Sequence, residues 1–294
     1  MVPTITMDRL PAELIIQILN YMSMEEHKVV GFISSRYRFL VLPFLFRRIH
    51  PWSWASRRKG TAALIACLQN NSMLSSAVRI LDAQSIKRSR QPVEEIRRIM
   101  ELTTSWEELI IAADDHTPVA AFDDNTKLKL RRLRLTIGSK LDHLLLNILP
   151  TCTNLVDLEI PRMEEGWFKI FDPVGSASAE WINRLKKYRG PPYPLNYLRD
   201  GTPLYRLISK VEVPSQMLYR LGQLVGPQLL CLHVPIDMID ILTAKSYLQT
   251  SLTPSLFPNL QYVAWFFITS QPGIVRGNLV TFWLALTMLL ITRT

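Results

Sequence analysis

The sequence predicts an α/β protein: a three-helix module at residues 1–50, then repeated strand and helix units stacked as a curved solenoid. Three observations predict it. Between Pro11 and Pro43 apolar residues recur at the three- and four-residue spacing of helices. Farther on, a six-residue pattern of apolar, two spacers, apolar, spacer, apolar returns again and again. The 294 residues, 48% hydrophobic and 20% charged, are enough for one large core or two modest domains and exclude a mainly disordered chain.

The helical module opens at Leu10-Pro11-Ala12-Glu13-Leu14. Proline in the first turn costs no hydrogen bond, because the N–H it lacks would be unpaired there, so it marks a helix start. Leu14, Ile15, Ile18, Leu19 and Met22 then fall on one helical face. Ser23 followed by Glu26 has the form of a capping box and begins a second helix. A third apolar series, Val29, Val30, Ile33, Tyr37 and Leu40, is closed by Pro43. So small a bundle carries more large apolar side chains than it can hide, which predicts a partner over part of its surface.

These residues resemble the F-box family, whose pattern is Leu-Pro-x-Glu-(Leu/Ile), an Ile and Leu pair, a Tyr or Leu, a Val-Ser before basic residues, and a terminal Leu-Phe-Arg. Here it reads Leu10-Pro11-Ala12-Glu13-Leu14, Ile18-Leu19, Tyr21, Ile33-Ser34, Arg36-Tyr37-Arg38, Leu40, Pro43 and Leu45-Phe46-Arg47, in unbroken register to about Ile49. One departure lies in the middle helix: the family usually has an acidic residue and leucine, and this chain has Glu26 and His27. The charge is kept and the aliphatic contact is lost. The resemblance, closest to fungal F-box proteins, implies docking on a Skp-family adaptor and through it a cullin. It implies Leu10, Pro11, Leu14, Ile15, Ile18, Leu19, Ile33 and Leu40 as the adaptor-packing residues.

A basic helical connector is expected at 51–73, and repeats from 74 to 270. The clearest copies are Leu130-x-x-Leu133-x-Leu135, Leu155-x-x-Leu158-x-Ile160, Ile208-x-x-Val211-x-Val213 and Leu229-x-x-Leu232-x-Val234. Trp106-x-x-Leu109-x-Ile111, Leu260-x-x-Val263-x-Trp265 and Ser75-x-x-Val78-x-Ile80 are weaker. Alternating apolar residues within each copy fit a short strand with one buried face. The copies start about 31, 24, 25, 53, 21 and 31 residues apart, so one repeat is missing or distorted in the long interval. Helical series separate them: Val93, Ile96, Ile99 and Met100 after Pro92, and Leu141, Leu144, Leu145, Ile148 and Leu149 before Pro150.

The region resembles degenerate leucine-rich repeats, each of which buries its apolar face only against its neighbours. The asparagine ladder of that family is absent, with Gly138, Met163, Gln216 and Asp237 at or near its positions. Proline and glycine crowd residues 161–207 and predict an irregular insertion, with one helix from Ala179 to Tyr188. An apolar tail follows at 271–294; its uncharged run from Leu279 to Ile291 falls short of the roughly twenty residues of a spanning helix.

Composition narrows function further. The formal charge is +9, and from His27 to Leu81 there is no acidic residue, while Lys28, Arg36, Arg38, Arg47, Arg48, Arg57, Arg58, Lys59 and Arg79 lie there. Such a stretch attracts a polyanion or an acidic protein. In Lys127-Leu128-Lys129-Leu130-Arg131-Arg132-Leu133-Arg134, cations alternate with leucines as on the outer face of a half-buried strand. Arg184-Leu185-Lys186-Lys187-Tyr188-Arg189 is a second basic run. Cys67, Cys152 and Cys231 are odd in number and far apart, which predicts a reducing compartment, cytoplasmic or nuclear. Met1 to Arg9 does not read as a secretory leader.

No glycine-rich nucleotide loop, phosphate loop or G-x-S-x-G elbow occurs, and His27, His50, His116, His143 and His233 form no zinc motif. Asp114-Asp115-His116 and Asp123-Asp124 read as solvated loop carboxylates. The expectation is therefore a non-enzyme with no cofactor, no metal and no small-molecule substrate. The family resemblance implies the substrate-recognition subunit of a Skp-cullin-F-box ubiquitin ligase, capturing an unknown target protein through its repeats. Two other readings stay open: a polyanion-binding or scaffold protein without ubiquitin function, and a tail-anchored membrane protein.

Overall fold

The computed structural model describes residues 10–50, 60–83, 93–103, 105–111, 124–135, 148–160, 181–209, 213–237 and 252–268. Over these it is a mixed α/β chain whose strands pair in parallel. It divides into two compact units, residues 1–130 and 131–294. The expected apolar tail, the helical positions Leu141, Leu144 and Leu145, the carboxylates Asp114, Asp115 and Asp123, and Arg57, Arg58 and Lys59 lie outside the described residues.

The first unit begins with helices α1 (Ala12–Asn20), α2 (Met24–Ile33) and α3 (Ser35–Leu45). Pro11 stands at the N-cap of α1, as its missing N–H allows. The third apolar series is not one element. Ser34 ends α2 and caps α3 by accepting from the Tyr37 N–H at 3.2 Å, so Val29, Val30 and Ile33 belong to α2, and Tyr37 and Leu40 to α3. Pro43 does not close α3 but lies inside it; the helix runs on to Leu45 and ends with the Phe46 N–H on the Leu42 carbonyl.

Strands β1 (Arg48–Ile49), β2 (Ile80–Ala83) and β3 (Glu108–Ile111) follow, with α4 (Gly60–Asn70), α5 (Ser72–Ala77) and α6 (Val93–Leu102) between them and α7 (Asp124–Lys129) after. Ile49, Leu81 and Leu109 are register partners and all buried. Residues 1–50, expected as a separate helical domain, therefore share a unit with the first strands: β1 pairs with β2, and Arg48 Nη2 meets the buried Asp82 carboxylate at 2.5 Å. The weak copy at Ser75 is displaced by three residues, because Leu81, not Val78, occupies the position that pairs with Leu109.

The second unit carries β4 (Arg132–Leu135), β5 (Asp157–Glu159), β6 (Lys187–Gly190), β7 (Arg206–Ser209), β8 (Cys231–Asp237) and β9 (Tyr262–Ile268), with α8 (Ser215–Val225) between β7 and β8. Leu133, Leu158, Tyr188, Leu207, Leu232 and Val263 are consecutive register partners. All but Val263 are buried, as are Leu155, Leu185, Leu204 and Leu229 three residues before their strands' partners.

A repeated backbone device sets that register. The carbonyl of the residue just before each strand accepts two N–H groups from the start of the next. Arg131 O accepts from Val156 and Asp157, Val156 O from Lys186 and Lys187, Lys186 O from Tyr205 and Arg206, Tyr205 O from Leu230 and Cys231, and Leu230 O from Gln261 and Tyr262. The same arrangement joins Arg47 O to Arg79 and Ile80, and Arg79 O to Glu107 and Glu108, in the first unit. A carbonyl has two lone pairs, so one oxygen satisfies both donors.

Two sequence expectations are corrected here. The copy starting at Ile208 is out of phase: Leu204 before β7 and Leu207 and Ser209 within it are buried, and Ile208 turns to the other face. A buried serine at the third inward position hid the pattern. The missing repeat is β6, with Leu185-x-x-Tyr188-x-Gly190 inside the stretch expected to be an irregular insertion. The helix expected from Ala179 to Tyr188 is not formed over its described part, where residues 181–184 make a 3-10 turn and Lys187 starts the strand.

Tyr188 and Gly190 depend on each other. A Cβ at Gly190 would lie 2.7 Å from Tyr188 Oη and 3.2 Å from Ile160 Cβ, so only glycine leaves room for the ring. The Tyr188 hydroxyl donates to the Pro191 carbonyl at 2.8 Å, and burial holds its phenol well above its ordinary value. Tyr188→Phe leaves that carbonyl without its donor and is expected to cost about 1–3 kcal/mol in a urea titration at neutral pH. Ionisation narrows that difference at high pH: the folded state keeps the proton that the unfolded state loses above pH 10, so wild type loses stability as pH rises past that value and the Phe variant loses less.

Candidate functional site

The three-helix head has a small interior. Ile15 and Leu19 of α1 meet Tyr37 and Val41 of α3, with Leu10, Met22, Val30, Leu40, Phe44 and Leu45 packed around them. Gly31 of α2 is buried against α3, and a Cβ added there would lie in ordinary contact with Val41, at 3.7 Å. The capping box is complete: the Ser23 N–H donates to Glu26 Oε2 at 2.6 Å and the Glu26 N–H to Ser23 Oγ at 3.4 Å. The Ser23 N–H, and after it the Ser23 hydroxyl, hold the Glu26 carboxyl below its ordinary range.

His27 points inward. Its Nε2–H donates to the Leu19 carbonyl at 2.7 Å, and its ring lies 5.1 Å from that of Phe44. The imidazole thus fastens the start of α2 to the end of α1 while packing on α3. The aliphatic contact expected to be lost at this position is replaced by a ring contact and a hydrogen bond within the head.

Much of the remaining apolar surface is turned outward. Among the described residues twelve large hydrophobic side chains are exposed, and nine of them lie between Leu14 and Phe39. Among the described residues the head is therefore where exposed apolar area concentrates, since scattered single exposures elsewhere are ordinary. Tyr21 is 92% exposed, Phe32 81%, Val29 66%, Ile33 61% and Phe39 60%, with Leu14, Ile16, Ile18 and Met24 near 40%.

The eight adaptor-packing residues implied by the family pattern separate accordingly. Ile15 and Leu19 are buried in the head. Leu10 and Leu40 are half-buried against its core, and the Leu10 carbonyl accepts from Arg36 Nη2 at 2.6 Å. Pro11, Leu14, Ile18 and Ile33 face outward. Sequence reasoning missed Phe32 and Phe39 as surface groups, although Val29, Phe32 and Ile33 have the helical spacing of a second outward stripe.

The outward face of the second unit's sheet is polar. Register aligns Arg132, Asp157, Lys187, Arg206, Cys231 and Tyr262 in one row, and Arg134, Glu159, Arg189, Ile208 and His233 in the next. Glu159 lies 4.0 Å from Arg134 and 3.5 Å from Arg189, and Asp157 3.9 Å from Arg132. Burial pushes the Asp157 carboxyl up despite the cations of Lys187, Arg132 and Arg134. His233 is pushed down by burial and by Arg206 and Arg189, while its ring lies 5.1 Å from Tyr262. The basic run at Lys127 is divided: Lys127 and Lys129 are in α7, and only Arg132 and Arg134 stand on a strand's outer face.

Among the described residues no group of three or more metal-binding side chains comes together, and no helix is long and apolar enough to cross a membrane. Asp124 is an exposed partner of Lys127 at 3.1 Å, one turn along the same helix. Cys67, Cys152 and Cys231 are free thiols, and burial raises that of Cys231. No protein-family model matches the chain, and no curated protein matches it.

The inward and outward residues of α1 are separable by substitution. Ile15→Ala is expected to destabilise the head by about 2–5 kcal/mol, as for a buried Ile. Ile18→Ala is expected to stay within about 0.5 kcal/mol of wild type, as for surface changes. Thermal denaturation followed by circular dichroism checks both.

Proposed function

We propose that the chain is a substrate receptor of a Skp-cullin-F-box ubiquitin ligase, with α1–α3 as the F-box and the strand units as degenerate leucine-rich repeats of a solenoid that captures a target protein. The observation that carries this reading is the concentration of exposed apolar side chains on α1–α3, over the same residues that resemble the F-box pattern. Burying one such side chain is worth roughly 1.5–3 kcal/mol. A handful suffices for a micromolar complex, about 8 kcal/mol, after the entropic cost of association.

The receptor's contribution is proximity. Docking the head on the adaptor and the target on the repeats turns transfer of ubiquitin into an encounter at high effective concentration. No nucleophile, acid or base is then required of this chain.

Five of the nine cations of the His27–Leu81 stretch are engaged within the chain, which supports this reading over polyanion binding. Arg36, Arg38 and Arg79 donate to the carbonyls of Leu10, Gly31 and Ser105, while Lys28 and Arg48 pair with Glu25 and Asp82. These groups stitch helix ends and strands together.

Ile18→Ser combined with Phe32→Ser alters only outward positions. Co-expression with a Skp-family adaptor is expected to give a stable complex for wild type and none for the double variant, with the melting temperature of the isolated protein nearly unchanged. Equal recovery of the adaptor with both proteins would overturn the assignment.

A further inference from the structure

We propose that the outward face of the second unit's sheet, centred on Lys187, Arg189 and Arg206, binds an extended, carboxylate-rich segment of a polypeptide. The inference deepens the receptor reading, taking from it only that the strand region captures another protein.

Charge placement on β4 to β7 carries it. Five cations, Arg132, Arg134, Lys187, Arg189 and Arg206, share the face with two carboxylates, Asp157 and Glu159. Both carboxylates lie toward the β4 side, and Glu159 is divided between Arg134 and Arg189. Lys187 stands in its register row between Asp157 on β5 and Arg206 on β7, so on the β7 side two like charges face each other about 4.8 Å apart in backbone spacing. Such a pair weakens the sheet by itself. A carboxylate placed between the two relieves the repulsion and gains from both.

Arg189 lies two residues along β6 from Lys187 on the same face, about 6.6 Å farther on. That is also the spacing of alternate side chains in an extended peptide, so acidic residues at every second position meet the Lys187–Arg206 pair and then Arg189. Lys187 Nζ sits 5.7 Å from the centre of the Tyr205 ring, which restrains the ammonium without neutralising it.

The surroundings favour a peptide over a nucleic acid. Asp157 and Glu159 border the cations on one side and repel any polyanion there, which confines an acidic segment to the β6–β7 side of the face. On the other side lie Ile208, His233 and Tyr262, an apolar and aromatic margin suited to the side chains between the acidic ones.

Fluorescence anisotropy on the full-length protein tests this with a labelled synthetic peptide alternating Glu and Val, its Gln counterpart, and a mixed-sequence single-stranded RNA. The Glu peptide is expected to bind, with affinity falling as salt is added. Lys187→Gln with Arg206→Gln should weaken it about tenfold or more, and Lys187→Arg with Arg206→Lys should retain it. Absence of binding, equal binding of the Gln peptide, an unaffected Gln double variant, or tighter binding of the RNA would each overturn the proposal. Adaptor co-purification, measured on the same variants, is expected to be unchanged. The peptide measurement needs no adaptor, so failure of the docking reading and failure of this one give different results.

Discussion

Register in this chain rests on a single backbone feature, a carbonyl that accepts two N–H groups from the strand beginning beside it. With Arg131, Val156, Lys186, Tyr205 and Leu230 each serving the next strand, no strand of the second unit can slip by one residue without losing two hydrogen bonds. A slip would also exchange its faces, turning Leu158 or Leu207 to solvent and Asp157 or Arg206 inward. The buried row and the charged rows are two consequences of the same constraint. It is made by main-chain atoms, which explains how the strands stay aligned without an asparagine ladder at their turns.

The class of the fold is legible because most copies keep aliphatic residues at the inward positions. Leu155, Leu158 and Ile160, and Leu229, Leu232 and Val234, are all buried as their alternation implies. Legibility fails where the chemistry at one inward position changes. Ser209 is buried in place of an apolar residue, so the neighbouring Ile208 offers an apolar pattern in the wrong phase. At β6 a tyrosine and a glycine replace two aliphatics, and the exchange makes sense only as a pair, since the glycine's missing side chain is the space the ring fills. A pattern taken one position at a time does not register such compensation.

The head is legible as helices and only partly as a surface. Its capping box is visible because both partners are three residues apart in the chain. Which leucines and isoleucines face inward is not, because Leu14, Ile15, Ile18 and Leu19 all satisfy the same loose spacing, and only the positions of Tyr37 and Val41 across the bundle select Ile15 and Leu19. His27 illustrates the same limit. In a family pattern it is a lost leucine; in three dimensions it is a tie between two helices, made by one nitrogen and one ring face.

The join between α3 and β1 has a mechanical meaning. The Arg47 carbonyl holds the two N–H groups that open β2, and the next residue clamps Asp82 across the strands. There is no swivel at this point of the first unit. Whatever grips the helices takes hold of a bracket bolted to the opening strands, so a pull or twist applied there is delivered to β2 and β3 rather than absorbed by a slack tether.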